Sequence, residues 1–363
     1  MSEVKENKEV GVWAPLRYAN YGDDMQAIAF ALMIREMGYN VKVFQLEESL
    51  SKTYNLQVAS DVKQLCEGVN LIIIAGGALL TPFSFLKRYL DKSSREYEAD
   101  FRALYKATKE YPNVRFCAIS FGGSGKIVDE KSFGDGRRKF FRSNSFLNGT
   151  VRLAGDVEMM KVFGKNMLYY ADMLFQTPTY FPPKKLEPSR KYRVGFNFKR
   201  GKHLDEKLIK DIFAYAKAHD DMEFHFTTTH MEKVGLHYQY VPDCESPNIF
   251  IDHYENPCQL YGIIASMDCF VTSMLHVGLT GLTAGTPFIS YRGPEKTKSF
   301  LRSIGGDWAI LPETITFDEL KSKFWNRSRE QLYNGYDTQI IDEMKKDSLH
   351  QYDFCREVVN KYA

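Results

Sequence analysis

Asp268-Cys-Phe-Val-Thr-Ser-Met-Leu-His276-Val-Gly-Leu-Thr-Gly-Leu-Thr-Ala-Gly285-Thr-Pro287-Phe-Ile-Ser-Tyr291 is the stretch on which the fold turns. It reads as a buried strand, a loop carrying a histidine, a helix rich in small residues and a second buried strand. That order places one ionisable ring at the carboxyl end of a parallel strand, beside a helix N-terminus. In open α/β sheets, ligands bind at that edge. The small residues Gly278, Gly281, Ala284 and Gly285 suit a helix packed close to its neighbours.

The same alternation runs outward in both directions. On the N-terminal side, strands are expected at Val10–Ala14, Val41–Leu46, Leu71–Ala75, Val114–Ser120 and Leu168–Ala171. Helices are expected at Asp23–Met37 and Gly155–Gly164. Leu71–Ala75 is wholly apolar, the mark of a strand covered on both faces. Gln176–Pro188 holds four prolines, which should stop both helix and strand, and reads as a linker. A second series follows, with strands at Val194–Phe198, Glu223–Thr228, Cys269–Thr272 and Phe288–Tyr291. Helices are expected at Glu206–Lys217, Pro257–Ala265, Lys296–Ile304, Phe317–Phe324 and Ile340–Tyr362. The fold class is therefore α/β, with two doubly wound Rossmann-like domains and a ligand cleft between them. The expected bounds are 1–178 and 191–338, joined by a linker at 179–190 and followed by a helix over 339–363.

Composition bounds the function. The 363 residues exceed what one core usually supports. The net charge of +2 gives no argument for nucleic acid as a partner. No segment is apolar enough to span a bilayer, and the charged N-terminus lacks a signal core, so a cytoplasmic location is expected, with peripheral membrane contact open. Of six cysteines none is spaced C-x-x-C, so no zinc site is expected, and Cys117 and Cys269 read as buried free thiols. His225 and His230 lack a local carboxylate partner in sequence, and no metal is expected.

Five segments can carry chemistry. Asn20-Tyr-Gly-Asp23-Asp24 opens the first helix, where Asp23 or Asp24 can cap it or hold sugar hydroxyls. Ala75-Gly76-Gly77 and Phe121-Gly122-Gly123 end strands, and backbone N–H groups there can face an anion or merely make tight crossings. Arg152 ends a short strand and can clamp a carboxylate or phosphate, although most arginines are surface residues. Lys199-Arg200-Gly-Lys202 follows the first strand of the second series, which suits a phosphate-bearing ligand or a solvated loop. His276 and the downstream cations Arg292, Lys296 and Lys298 complete the set.

Taken in order, these motifs resemble the polysaccharide pyruvyl transferases. The residues that carry the resemblance are Asn20-x-Gly-Asp23, Gly76-Gly77, Arg152 with a short helix to Gly164, and Asp172. They continue with Ser273-Met-Leu-His276, Gly285-Thr-Pro287, Tyr291 and Lys296. Two departures stand out. Met274 replaces the family's arginine two residues before the histidine, and the glycine run is shortened by Ala75 and Ala78.

The resemblance implies the B-type glycosyltransferase architecture, with an acceptor-side first domain, a donor-side second domain and a last helix crossing back to the first. It implies phosphoenolpyruvate as donor substrate, no cofactor, and a saccharide acceptor, lipid- or nucleotide-linked, in cell-surface polysaccharide synthesis. Arg152 and Lys296 would neutralise the donor, and His276 would act as general acid or base. Asn20, Asp23, Gly76, Gly77, Arg200 and Ser273 would bind substrate. Because Met274 carries no charge, either Arg200, Arg292 or Lys298 replaces the lost cation or the donor differs. A nucleotide-sugar-dependent glycosyltransferase and a non-catalytic saccharide-binding relative are the alternatives.

Overall fold

The computed structural model describes residues 8–199, 205–231, 240–243 and 246–363. The chain divides into two compact units. The first comprises residues 1–17, 23–173 and 346–363, and the second comprises Tyr18–Gly22 and Leu174–Lys345.

The first unit contains β1 (Glu9–Trp13), most of α1 (Tyr21–Glu36), β2 (Asn40–Phe44), α2 (Glu48–Tyr54), β3 (Gln57–Ala59), α3 (Val62–Cys66) and β4 (Val69–Ala75). It continues with α4 (Phe85–Leu90), α5 (Lys92–Glu110), β5 (Arg115–Ile119), α6 (Asp135–Arg142), β6 (Thr150–Val151), α7 (Ala154–Lys161) and β7 (Leu168–Tyr169). Its five-stranded sheet is parallel throughout, in the order β3-β2-β1-β4-β5. Flanked by β1 and β5 inside the sheet, β4 has Leu71, Ile72, Ile73 and Ile74 fully buried, which its unbroken apolar run dictates. Each such side chain contributes about 1.5–3 kcal/mol by leaving water. The core around it is strongly aromatic, with Trp13, Phe101, Phe116, Phe121, Phe140 and Phe141 buried together.

The second unit contains α8 (Thr177–Tyr180), β8 (Tyr192–Asn197), α9 (Glu206–Ala218), β9 (Met222–Thr227), β10 (Ile249–Asp252), α10 (Pro257–Ala265), β11 (Cys269–Thr272), α11 (Leu275–Thr283), β12 (Phe288–Ser290) and α12 (Glu295–Ser303). It ends with α13 (Phe317–Leu320), α14 (Arg329–Tyr333) and the first residues of α15 (Thr338–Tyr362). Its sheet repeats the first topology, β10-β9-β8-β11-β12, again all parallel. In each sheet the strand order reverses at the central pair, β1/β4 and β8/β11, so each unit has its own switch point at the carboxyl ends of those strands.

Three local expectations differ from the structure. Leu168–Ala171 contributes only two exposed residues, paired with Thr150–Val151 outside the main sheet. The proline-rich stretch is not devoid of helix: Pro178 sits in the first turn of α8, where its missing N–H costs nothing. The chain leaves the first unit after Met173, ahead of the expected boundary at 178.

Cys117 and Cys269 are buried free thiols, and burial pushes both up to about 12. No helix among the described residues is long and apolar enough to cross a membrane.

Candidate functional site

In the first unit, a chain of buried polar groups gathers at the carboxyl ends of β4 and β5. Arg152 follows β6, and its backbone N–H donates to Phe121 O at 3.0 Å. Its guanidinium is 6% exposed and donates from Nη1 to Asp172 Oδ2 at 3.0 Å. Gln26, fully buried on α1, donates from Nε2 to the other Asp172 oxygen at 3.4 Å. Its Oε1 accepts the Gly77 N–H at 2.9 Å. One glutamine therefore ties the glycine run to the Arg152–Asp172 pair.

Gly76 and Gly77 lie in the left-handed region, at φ +56 and +79, and a Cβ on Gly76 would stand 2.1 Å from Gln26 Oε1. The backbone N–H groups of both glycine turns are already used within the protein. Gly76 donates to Ile119 O at 2.8 Å and Gly122 to Gly77 O at 3.1 Å. Gly123 and Gly125 donate to the Asp156 carboxylate at 2.7 and 3.0 Å. Of the two readings of these turns, N–H groups open to an anion and tight crossings, the bonds match the second. The glycines are needed for backbone shape and for the room Gln26 and Arg152 occupy. Burial pushes the Asp156 carboxyl above its usual range, against the pull of the Gly125 and Gly123 N–H groups and the Arg152 charge.

In the second unit, small polar side chains line the carboxyl ends of β8, β9 and β11. Asn197 donates from Nδ2 to Thr227 O at 2.9 Å, and the Thr272 hydroxyl accepts the Met274 N–H at 2.9 Å. Ser273 is 4% exposed, and its hydroxyl has no hydrogen-bond partner among the described residues.

Tyr18–Gly22 packs into this unit. The Asn20 amide oxygen accepts the Gly22 N–H at 3.0 Å, and its Nδ2 lies 3.0 Å from His230 Nε2. The helix is thus capped by Asn20. Asp23 and Asp24 lie inside the first turn of α1, where the macrodipole favours a carboxylate. Tyr21 is fully buried and donates its hydroxyl to Thr280 Oγ1 at 3.1 Å.

His276 is the second residue of α11, in its first turn and not in a preceding loop. Its ring lies against Gly22 so closely that a Cβ there would stand 1.8 Å from His276 Nδ1. Asn20, Gly22, His230 and His276 are thereby brought together. Lys296 is half-buried in the first turn of α12. Of the cations able to stand in for Met274, Arg292 is committed to Glu313 O through Nε and Nη2, at 2.9 and 2.7 Å. Lys298 is half-buried on α12, and Arg200 lies outside the described residues.

Sequence reasoning missed Gln26, Asp156 and the pairing of His230 with Asn20. A lone glutamine within the apolar run Met25–Ile34 was the available signal for the first. His225 does have carboxylate partners: Asp252 lies 2.9 Å from Nδ1 and Glu223 3.8 Å from Nε2. No group of three or more His, Cys, Asp or Glu among the described residues could hold a metal ion.

The fold is similar to several solved structures at low identity. MnaA of S. aureus, solved with UDP, superposes at a TM-score of 0.59 with 9% identity, covering 91% of each chain. The UDP-GlcNAc 2-epimerase of Methanocaldococcus jannaschii gives 0.55 and 9%, covering 93% of this chain and 99% of its own. The glycosyltransferase SnogD of Streptomyces nogalater gives 0.50 and 11%, covering 98% and 99%. These likenesses show the fold, that of B-type glycosyltransferases and UDP-GlcNAc 2-epimerases. No curated protein matches the chain. The model of the polysaccharide pyruvyl transferase family matches residues 20–292, from Asn20 through His276 to Arg292, and the chain belongs to that family.

Proposed function

We propose that the protein transfers a pyruvyl group from phosphoenolpyruvate to a saccharide, forming a cyclic ketal in cell-surface polysaccharide synthesis. The observation that carries this reading is the family match over residues 20–292. In the reaction, a proton adds to the donor methylene carbon and makes it a methyl group. One sugar hydroxyl attacks the central carbon, the bond to phosphate oxygen breaks, and a second hydroxyl closes the ketal. Two hydroxyl protons are released, one proton is consumed at carbon, and the phosphate departs with the balance.

The donor carries several negative charges, and their neutralisation is where most rate enhancement is expected. Arg152 and Lys296 are assigned to that task, with Lys298 or Arg200 making up the charge that Met274 lacks. Asp172 accepts one N–H of the Arg152 guanidinium, and the remaining N–H groups are assigned to the donor. His276 is assigned the proton transfers, because a histidine titrates near the working pH. Asp23 and Ser273 are assigned to the acceptor hydroxyls, and Asn20 to positioning. Gly76 and Gly77 shape the loop. No cofactor is invoked, and the reaction is placed in the cytoplasm, which supplies phosphoenolpyruvate.

The test is to incubate pure protein with phosphoenolpyruvate and sugars bearing paired hydroxyls, and to measure phosphate release and ketal formation. His276→Ala is expected to lower kcat by about 10²–10⁴-fold. Absence of phosphate release with every acceptor, together with turnover of a nucleotide sugar, would sink this reading. It would favour the second one, nucleotide-sugar-dependent glycosyl transfer, for which the uncharged Met274 is the specific argument.

A further inference from the structure

One surface of the first unit carries the most exposed large apolar side chains among the described residues. On α4, Leu86, Tyr89 and Leu90 are 67%, 61% and 76% exposed. Their spacing of three and four residues puts them on one helix face. Soluble proteins scatter single apolar residues over their surface, whereas a contiguous apolar stripe marks a contact site. In the same unit, Ile127 is 65% exposed.

Cations lie on this helix and on the elements that follow it in the chain. Lys87 and Arg88 lie on α4 itself. Arg88 reaches the Phe133 and Lys131 carbonyls at 2.9 and 3.1 Å, which joins α4 to the segment leading into α6. On α6, Arg138, Lys139 and Arg142 combine with Lys109 and Tyr105 of α5 to line a shallow groove of about 360 Å³. Lys109 and Lys139 lie 5.5 and 5.9 Å from the Tyr105 ring centre, so the ring gathers positive charge. Asp135 also lines the groove and pairs with Arg138 and Lys139, and Glu130 pairs with Arg142, so four lining cations face one lining carboxylate and the groove keeps a net positive charge.

The imbalance is regional. Residues 81–142 contain 14 Lys and Arg against 8 Asp and Glu, a net +6, in a chain whose total is +2. The remaining residues therefore sum to −4.

We infer that this face docks on an anionic lipid surface, with Leu86, Tyr89 and Leu90 entering the acyl boundary and the α6 groove taking lipid phosphates. Apolar insertion and charge attraction are each marginal alone and suffice together. A second copy of the chain would set one cationic groove lining against another, which opposes self-association through this face. Nucleic acid would satisfy the cations but not the exposed leucines. The inference does not depend on which reaction the protein catalyses.

The experiment is co-sedimentation of the full-length protein with large unilamellar vesicles, either phosphatidylcholine alone or an equimolar mixture with phosphatidylglycerol. Binding is expected to the anionic vesicles only, and high salt should release it by screening. Leu86→Ser with Leu90→Ser should abolish it. Arg138→Gln with Lys139→Gln should weaken it about fivefold per cation removed. An unchanged unfolding midpoint in both double variants shows that neither effect is misfolding. No sedimentation, equal binding to neutral vesicles, or variants that bind like the parent would each overturn the proposal. So would an oligomer that the leucine substitutions dissociate, which would assign the face to another protein chain.

Discussion

Gly22 and His276 show how one absent side chain makes room for a histidine ring. Gly22 carries no left-handed backbone angle, so the glycine is required by space alone. Gly22→Ala should therefore fold, yet it must displace the His276 ring, whose Nδ1 would meet the new carbon at 1.8 Å. Turnover is expected to fall by about 10²-fold or more, as for a misplaced catalytic group. The unfolding midpoint should move little, and comparing kcat with thermal stability checks this. Normal turnover in the variant would remove His276 from the proposed chemistry. The residue scale also supplies a pH dependence. Burial pushes the Asp100 carboxyl up to about 6, with the Arg17 charge and hydrogen bond pulling the other way. A raised acid keeps its proton to higher pH when folded than when unfolded. Its contribution to stability is therefore present below about pH 4 and lost as pH rises to about 6. Urea midpoints of the parent and of Asp100→Asn should diverge in the variant's favour across that window and run parallel above it. The sequence made His276 visible because apolar strand and small-residue helix flank it. It could not show Asn20 as the cap, since Asn and two Asp residues within five positions are equally able acceptors, and only the backbone decides among them.

At the scale of elements, strands covered on both faces were the most legible, because burial leaves only apolar residues for them. Leu71–Ala75 and Cys269–Thr272 read directly as β4 and β11. The pairing of Thr150–Val151 with Leu168–Tyr169 was not legible, since two-residue strands carry no period. The glycine turns were found, but their partners were not: Gln26 and Asp156 reach them across 51 and 33 residues of sequence. This long-range pairing gives a sharp expectation for α7. Asp156 accepts two backbone N–H groups from the loop after β5. Asp156→Ala would leave both donors unpaired within the fold, at about 1–3 kcal/mol each. Denaturant titration should show a loss of roughly 2–5 kcal/mol. Asp156→Asn, which keeps one acceptor oxygen, should lose less. Equal losses in the two variants would mean that space and not hydrogen bonding sets the cost.

At the scale of the whole chain, α15 is the element that both units share in sequence. Its first residues belong to the second unit, and residues 346–363 belong to the first. The apolar spacing of Ile341, Met344, Leu349 and Val358 announced a helix, but the tie that secures it is polar. Gln351 is fully buried. It accepts from Ser120 N–H at 3.2 Å and from the Thr150 hydroxyl, and donates to the Tyr170 and Ala171 carbonyls, each at 3.1 Å. Ala171 N–H donates to Asp347 at 2.6 Å, and the Tyr352 ring packs 5.4 Å from Phe30. Ending the chain at Lys345 would strip these partners from β5, β6 and α1 while leaving the second sheet and its core complete. Hydrogen exchange is therefore expected to rise in β1, β4 and β5 of the truncated chain and to stay at parent levels in β8, β9 and β11. Gln351→Leu, which fills the space without the hydrogen bonds, isolates the polar contribution. It should cost about 2–4 kcal/mol, because the carbonyls and N–H groups it abandons lie in a dry interior. Full protection of the first sheet in that variant would show that the apolar face of α15 alone holds it in place.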